Sequence, residues 1–178
     1  MTVLENVALG LHARPMYTLP EAFIRTPRAW RAERTGEHQS LELLEMVQLR
    51  EHAHERADSL PYGLQRRLEL ARALATKPQL LLLDEPSAGM NSEESADLVQ
   101  TINLIRQERA CTILLIEHNL PVVMELCAGS RVVVLNLGQV LAEGSPHEVQ
   151  HNPQVITAYL GTQRWHSKKT LSAIHEAQ

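Results

Sequence analysis

An apolar run that ends in two adjacent carboxylates constrains the fold of this chain more than any other feature. Leu80–Leu83 are four consecutive leucines, followed by Asp84 and Glu85 and then by Pro86 and a turn of small residues. A continuous apolar run is typical of a strand that is buried on both faces of a parallel sheet. Charged side chains at its carboxyl end lie where α/β proteins bind ligands. The segment therefore predicts a buried strand that leads into a ligand-binding turn, whereas an acidic pair without this context would indicate only a solvated turn.

The two adjacent carboxylates predict two separate roles. Successive residues of a strand point to opposite sides, so Asp84 and Glu85 can face different ligands. One carboxylate can hold a magnesium ion, usually through water. The other can orient or deprotonate an attacking water molecule.

Strand-like and helix-like patterns alternate along the rest of the chain. The predicted elements are a short helix over 1–12, loops and short polar helices over 13–36, a helical stripe over 41–47, an amphipathic helix over 64–76, the strand over 80–83, a helix over 92–108, a second buried strand over 112–116, a helix over 120–127, a hairpin over 131–142 and two short helices over 146–160. Alternation of this kind is typical of an α/β domain with a parallel sheet. Arg66 and Arg67 are predicted on the solvated face of their helix, and the polar residues 162–178 predict a loose tail.

Composition and charge exclude several classes of protein. The 178 residues carry a formal net charge of −4 at pH 7, so no basic surplus favours nucleic acid or anionic lipid. No segment approaches the ~20 apolar residues of a membrane-spanning helix. The first residues also lack the basic start and long apolar run of a signal peptide. We therefore expect a cytoplasmic protein that reaches a membrane only through a partner.

Two further segments suit the binding of phosphate. Residues 60–67 read LPYGLQRR, where Gly63 permits close approach to the backbone and a helix begins with free N–H groups and a positive dipole end. Residues 113–119 read ILLIEHN, so a strand ends in Glu117 and His118 at the same sheet edge. A histidine in this place can donate to a phosphate oxygen, although a histidine without the other motifs is more often structural. The three segments together indicate a nucleotide-binding protein.

The order LPYGLQRRLELARALA, LLLLDEPSAGMN and LLIEHN resembles the ATP-binding cassette family, over residues 1 to about 161. Finer details resemble the ATP-binding subunits of branched-chain amino acid importers. These details are the PYG form of the signature, SAGMN after DEP, IEHN and the ending HNPQVITAYLG. The resemblance implies a fold class of α/β, as the C-terminal part of an ABC-type P-loop NTPase domain with a parallel sheet core and a helical subdomain.

The resemblance also implies roles for individual residues. Glu85 and His118 correspond to the catalytic carboxylate and the switch histidine, and Asp84 corresponds to the magnesium ligand. The signature and D-loop positions that would contact nucleotide across a dimer are Leu60, Tyr62, Gly63, Gln65, Ser87, Ala88, Gly89 and Asn91. ATP and Mg²⁺ are the implied cofactors.

The family implies a domain organisation and partners as well. Residues 1–161 form the partial ATPase domain, with a helical subdomain over about 11–76, a core from the Walker B strand to the hairpin over 77–142, and a branched-chain-type extension over 143–161. The implied partners are a second copy or a paralogous ATPase subunit and integral-membrane permease subunits, with no nucleic acid. The implied location is the cytoplasm, on the inner face of the cell membrane.

One motif of the family is absent from these 178 residues. ATP binding in the family depends on G-x-x-x-x-G-K-[ST], whose backbone N–H groups and lysine hold the phosphates. The only lysines are Lys77, Lys168 and Lys169, and none follows a glycine of this motif. We expect the chain to start within the usual domain, to lack the phosphate-loop strand and so to have open edges at 112–116 and 131–135. We also expect marginal stability and no tight ATP binding by this chain alone.

Three hypotheses remain from the sequence. The first is an energy-coupling ATPase subunit of an importer, in which Pro61 replaces the usual signature serine as a variation of the branch. The second is a non-catalytic fragment from a late start, a split gene or a decayed gene. The third is a soluble relative in DNA repair or translation, which the importer-type features disfavour.

Overall fold

Among the residues described, three α-helices precede the first strand, and strands and helices then alternate from residue 80 to residue 136, as the sequence pattern predicts. The computed structural model describes residues 1–11, 27–109 and 111–160. Its main elements are α1 (Val3–Leu11), α2 (Pro27–Met46), α3 (Tyr62–Ala75), β1 (Leu80–Asp84), α4 (Ser92–Glu108), β2 (Thr112–Ile116), α5 (Leu120–Leu126), β3 (Val132–Asn136), β4 (Gln139–Gly144), α6 (Pro146–Gln150) and α7 (Pro153–Val155). Short 3-10 turns cover Arg50–His52 and Ala57–Ser59, and a π-helical turn covers Ile156–Leu160. The chain divides into two units, Met1–Val122 and Val123–Gln178. The predicted tail over 162–178 lies outside the described residues.

The helix α2 is longer than its sequence pattern indicates. We expect loops and short polar helices over 13–36, but residues 27–36 form the first half of α2, while 12–26 lie outside the described residues. Pro27 at the first position is preorganised to start a helix, and no later proline interrupts it. The following residues are rich in alanine, arginine and glutamate, which are good helix formers. The buried Leu43 and Leu44 then anchor the second half.

Three helices of the first unit pack around a common apolar core. Val3 and Val7 of α1 are fully buried, as are Leu44, Val47 and Leu49 at the end of α2 and just beyond it. The start of α1 is also held by its backbone, because the N–H groups of Val3 and Leu4 donate to carbonyls of the loop 53–55 at 2.9 Å. The amino-terminal residues are therefore an integral part of this unit.

A glycine lets α1 approach α3 closely. A Cβ placed on Gly10 would lie 2.7 Å from the carbonyl oxygen of Arg72 and 2.8 Å from Cβ of Ala75, whereas one on Gly36 of α2 would meet no atom nearer than 3.9 Å. We expect Gly10→Ala to lower the free energy of unfolding by about 1–3 kcal/mol, because the two helices must separate. The matched control Gly36→Ala should raise it by about 0.5–1 kcal/mol, since it removes flexibility from the unfolded chain without a clash. Urea unfolding of both variants would test this. Equal changes in the free energy of unfolding, with the same sign, would contradict the close contact of α1 with α3 at Gly10.

The two strands of the first unit are parallel, with Leu80 opposite Thr112 and Asp84 opposite Ile116. Among the residues that the structure describes, β2 pairs with β1 and with no other strand, so its far edge is open as the sequence predicts. Unpaired strand edges are sites of association with other chains.

The prediction that both strands are buried on two faces is wrong. Leu81 and Leu83 are buried, but Leu80 and Leu82 are 51% and 64% exposed, and Leu114 of β2 is 54% exposed. One face contacts helices, because Leu70 of α3 and Leu98 of α4 line the same cleft as the buried leucines. Within the described ranges nothing comparable covers the other face, so the leucine run is half solvated.

Arg67 is also placed differently from its prediction. It is 8% exposed instead of lying on a solvated face. Its guanidinium donates to Oε1 of Gln48 at 2.7 Å and to Oδ2 of Asp97 at 2.9 Å. The planar guanidinium can serve two acceptors on different segments at once, so Arg67 joins α3 to the end of α2 and to α4.

The second unit contains the predicted hairpin. The strands β3 and β4 are antiparallel, with an irregularity between Val134 and Leu135. Leu137 and Gly138 connect them with φ of 48° and 77°. Two central residues of positive φ are typical of the type I′ turn that matches the twist of a hairpin. No helix in the described part of the chain has the length and apolar character needed to cross a bilayer.

Candidate functional site

The predicted catalytic turn begins where the two parallel strands end. The N–H of Glu85 donates to the carbonyl oxygen of Ile116 at 2.8 Å, immediately beyond the last strand pair. Glu85 has φ of +44°, in the left-handed region that non-glycine residues rarely adopt. The strand ends at Asp84, so the alternation of a strand does not extend to Glu85. That Asp84 and Glu85 have separate roles stays a prediction. A residue held in the left-handed region costs of order 1–3 kcal/mol, and such residues cluster at active sites and ligand clamps.

Glu85 and His118 are brought together at this edge. Nδ1 of His118 lies 3.3 Å from Oε1 of Glu85, and the two side chains are 64% and 51% exposed. A carboxylate and an imidazole in contact and open to solvent can exchange protons with a bound water molecule or substrate. The structure thus unites the two residues that the sequence singles out for catalysis.

Glu117 holds the two turns of the site and was not predicted as a site residue. One carboxylate oxygen, Oε1, accepts from both the N–H and the hydroxyl of Ser87. The other, Oε2, accepts from the N–H groups of His118 and Asn119 at 3.1 and 3.2 Å. The sequence places Glu117 at the end of β2 beside His118 and so predicts the sheet edge at which it lies. It does not predict that the side chain binds Ser87 in the other turn.

The hydrogen bonds of Glu117 lower its pKa. Partial burial acts to raise the pKa of this carboxyl, but the donors on Ser87, Asn119 and His118 outweigh burial and hold it below its ordinary value of 4.5. Because the charged form is the one that accepts these bonds, the folded protein favours it.

A pH-dependent contribution to stability follows from this shift. A carboxyl whose folded pKa is depressed stabilises the protein above its unfolded pKa and loses that contribution as pH falls through its folded pKa. We expect the difference in unfolding free energy between the parent and Glu117→Gln to be largest above pH 4.5 and to shrink below it. Urea unfolding between about pH 6 and about pH 3 measures this difference. Ser87→Ala removes one donor and should reduce the pH-dependent part of the unfolding free energy. If the difference between the parent and Glu117→Gln did not change with pH, Glu117 would not be the source of this pH dependence.

The turn after Glu85 contacts the start of α3. Ala88 N–H donates to the Glu85 carbonyl at 3.0 Å, and Gly89 then has φ of +77°. A Cβ on Gly89 would lie 3.4 Å from the Tyr62 ring, and one on Gly63 would lie 3.3 Å from Oε1 of Glu94. Substitution at Gly89 would be strained by its backbone conformation as well. The two predicted nucleotide-contacting segments therefore lie side by side.

Several of the predicted binding residues have defined structural partners. The side chain of Asn91 accepts from the N–H groups of Glu93 and Glu94 and caps α4. Leu60 is 4% exposed, and Nε2 of Gln65 donates to its carbonyl at 2.8 Å. These residues shape the two turns, and the exposed ones among the predicted binding residues are Tyr62, Gly89 and Asn91.

The first turn of α3 contains the exposed Tyr62 and the buried Gly63. Its N-cap is Pro61, which forms no side-chain hydrogen bond to the helix start. The hydroxyl of Tyr62 accepts from Nε and Nη2 of Arg66 at 2.9 and 2.6 Å. Free N–H groups and the positive end of the helix dipole favour a negative ligand here.

Asp84 is exposed at the end of β1 and lines a cleft of about 170 Å³ with Arg66, Glu69 and Pro86. In the part of the chain that the structure describes, no three His, Cys, Asp or Glu side chains converge on a metal position. A single carboxylate is compatible with Mg²⁺, which keeps several waters and relies on phosphate oxygens. Asp84 thus fits this ion together with a nucleotide.

Comparison with known sequences decides the family. The family described as ABC transporter matches residues 1–88, and the family described as branched-chain amino acid ATP-binding cassette transporter matches residues 139–164. The chain is 42% identical over 161 residues to the high-affinity branched-chain amino acid transport ATP-binding proteins LivG of Escherichia coli and BraF of Pseudomonas aeruginosa. The chain carries an ABC transporter ATP-binding domain and the C-terminal domain of the branched-chain amino acid type.

Solved ABC structures agree with this assignment. An ATP-binding cassette of an ABC transporter in its ADP conformation superposes with a TM-score of 0.70 at 28% identity, covering 90% of this chain and 63% of that one. The predicted α/β fold class and the resemblance to branched-chain amino acid importer subunits are confirmed. The alignments with LivG and BraF cover 90% of this chain and 62% of each relative, so the chain spans less than two thirds of their length.

Proposed function

We propose that this chain supplies the hydrolytic half of an ATP-hydrolysing subunit that drives a branched-chain amino acid importer. The supporting observation is the contact of Glu85 with His118 at 3.3 Å, in a turn that also adjoins the start of α3. The names of the relatives provide the transport context, since both LivG and BraF are described as branched-chain amino acid transport ATP-binding proteins.

In this proposal each side chain of the turn has one task. Glu85 orients the attacking water and accepts its proton, because an exposed carboxylate in contact with an imidazole can act as a general base. His118 donates to the terminal phosphate. Mg²⁺, when bound with ATP, neutralises charge on the phosphates, and Asp84 would hold it through water.

The signature and D-loop residues would face a second nucleotide. The first turn of α3, with Tyr62 and Gly63, has no side-chain cap and would present its N–H groups to the phosphates of ATP held by a partner subunit. Ser87, Ala88 and Gly89 lie beside that turn and would complete the contact. This arrangement requires a second ATPase subunit, either another copy or a paralogue.

The remaining partners follow from the transport role. Integral-membrane permease subunits would receive the motion of the ATPase dimer, and the chain would act in the cytoplasm at the inner face of the membrane. Nucleic acid is not a partner in this proposal, since the net charge is −4.

A second candidate is a non-catalytic fragment. The absence of G-x-x-x-x-G-K-[ST] from the 178 residues favours it, because that motif forms the cradle for the β- and γ-phosphates. The half-exposed leucine strand and the open edge of β2 favour it too. On this alternative the chain alone neither binds ATP tightly nor hydrolyses it.

A fusion experiment tests the two candidates. The segment of Escherichia coli LivG that precedes the aligned region is joined in front of Met1, and ATP binding and ATP hydrolysis are measured beside intact LivG. The proposed function expects turnover by the fusion and none by the 178-residue chain. A fusion that folds, as judged by circular dichroism, and binds ATP without hydrolysing it would support the fragment.

A further inference from the structure

The Glu117 side chain forms hydrogen bonds to two turns, the one that contains Ser87 after β1 and the one that contains His118 and Asn119 after β2. Among the residues that the structure describes, its Oε1 accepts from Ser87 alone, and its Oε2 accepts from the turn of His118 and Asn119 alone. The division of the two oxygens between the two turns makes the carboxylate a clamp. The paired strands end at Asp84 and Ile116, and the bond from Glu85 N–H to the Ile116 carbonyl is the last backbone link.

The Ser87 end of the clamp is buried. Ser87 is 5% exposed, and both its N–H and its hydroxyl donate to Glu117. A buried donor without an acceptor is unfavourable, so the free energy is lowest when the turn of Ser87 stays within hydrogen-bond distance of the Glu117 carboxylate. Ionised acceptors form stronger hydrogen bonds than neutral ones, and the lowered pKa of Glu117 keeps this acceptor charged at neutral pH.

The catalytic pair lies on the same two turns. Glu85 is two residues before Ser87, and its carbonyl accepts from Ala88 N–H at 3.0 Å. His118 directly follows Glu117 and donates its own N–H to that carboxylate. The separation of Nδ1 of His118 from Oε1 of Glu85, 3.3 Å, is therefore set by how the two turns are held.

We propose that Glu117 is a positioning residue that holds the Glu85 and His118 side chains in contact by clamping their two turns. It touches neither of the two reacting groups with its own carboxylate, and it acts through the backbone of the turns. The proposal rests on the proposed function for the roles of Glu85 and His118, but the clamp itself requires no nucleotide.

The test uses the 178-residue chain labelled with ¹⁵N and ¹³C, without ATP. We compare the parent with Glu117→Gln, which keeps the shape of the side chain but loses its charge and half of its acceptor capacity. Amide hydrogen exchange of Ser87, His118 and Asn119 reports the clamp. The nuclear Overhauser contact between the His118 ring and the Glu85 side chain, with the ring ¹⁵N shifts, reports the catalytic pair.

Glu148→Gln is the matched control. Glu148 likewise accepts from the N–H and the hydroxyl of one serine, Ser145, both at 2.8 Å, but it lies in the second unit. Its substitution removes a similar set of hydrogen bonds without involving His118. The control therefore distinguishes a loss of protein stability from a loss of the contact between Glu85 and His118.

We expect Glu117→Gln to accelerate exchange of the Ser87 and His118 amides by about ten-fold or more and to abolish the contact between His118 and Glu85. Glu148→Gln should leave both signals unchanged. The proposal is overturned if Glu117→Gln lowers the thermal midpoint while the His118 ring shifts and its contact with Glu85 stay as in the parent.

Two further variants keep the test decisive if Glu117→Gln does not fold. Ser87→Ala removes only the hydroxyl donor and should weaken the contact of His118 with Glu85, and an unchanged contact would count against the clamp. In the fusion with the LivG segment, Glu117→Asp should lower kcat with KM for ATP unchanged, because a shorter carboxylate holds the turns imperfectly. The NMR spectra of the 178-residue chain are recorded without nucleotide. An inactive fusion would therefore contradict the proposed function without contradicting the role of Glu117 as a clamp.

Discussion

Replacing Glu85 by glutamine in the active fusion is expected to lower kcat for ATP hydrolysis by roughly 10²–10⁴-fold while ATP binding is retained. Glutamine has the shape of glutamate but cannot accept the proton of the attacking water. ATP binding should persist, because the phosphates are held by backbone groups and by the phosphate loop. The measurement is steady-state phosphate release together with equilibrium binding of ATP.

The control for this result is Glu108→Gln. Glu108 is an exposed carboxylate at the end of α4, and its substitution changes the net charge by the same amount without altering the turn. Its kcat should stay within about two-fold of the parent, as surface substitutions away from a site are usually small in effect. If Glu85→Gln retained the turnover of the parent fusion, Glu85 would not be the general base of the hydrolysis.

Truncating Leu98 is expected to cause the largest loss of stability. Leu98 of α4 is fully buried and lines the cleft beside Leu81 and Leu83 of β1. Leu98→Ala should lower the free energy of unfolding by about 2–5 kcal/mol, since the lost methyl and methylene groups leave a cavity between helix and sheet. Alanine is at least as good a helix former as leucine, so the loss reports packing and not helix propensity.

Leu104→Ala on the same helix is the matched control. Leu104 is 38% exposed, so truncation removes less buried surface and should cost under about 1 kcal/mol. Urea unfolding followed by circular dichroism measures both variants. Similar losses for the two substitutions would mean that α4 does not pack on β1 through Leu98.

The positions of the site residues along the chain could be predicted because each ends an apolar strand. Leu80–Leu83 lead to Asp84 and Glu85, and the apolar run of β2 leads to His118. Parallel strands end at one edge, so their terminal residues meet there whatever the rest of the fold does. The contact of Glu85 with His118 is a consequence of this rule. Whether these residues hydrolyse ATP in this chain stays a prediction.

The local conformation of Glu85 could not be predicted in the same way. Alternation along a strand assumes extended backbone, but the chain turns at Glu85 with positive φ, and the N–H of this residue is taken by the Ile116 carbonyl. That bond depends on β2, which lies about thirty residues away along the sequence. No local pattern reports a bond of this kind.

The sequence by itself determined the elements and the family. Hydrophobic period, proline and glycine punctuation and three ordered motifs are local properties, and they identify an ABC-type α/β chain and the sheet edge of its candidate site.

Only the tertiary structure decided which polar groups are buried and what they hold. Arg67 joins three segments instead of facing solvent, Glu117 joins two turns, and the leucine strand is covered on one face. Each of these depends on neighbours distant in sequence, since burial and the partner of a charged group are set by packing and not by the residues on either side.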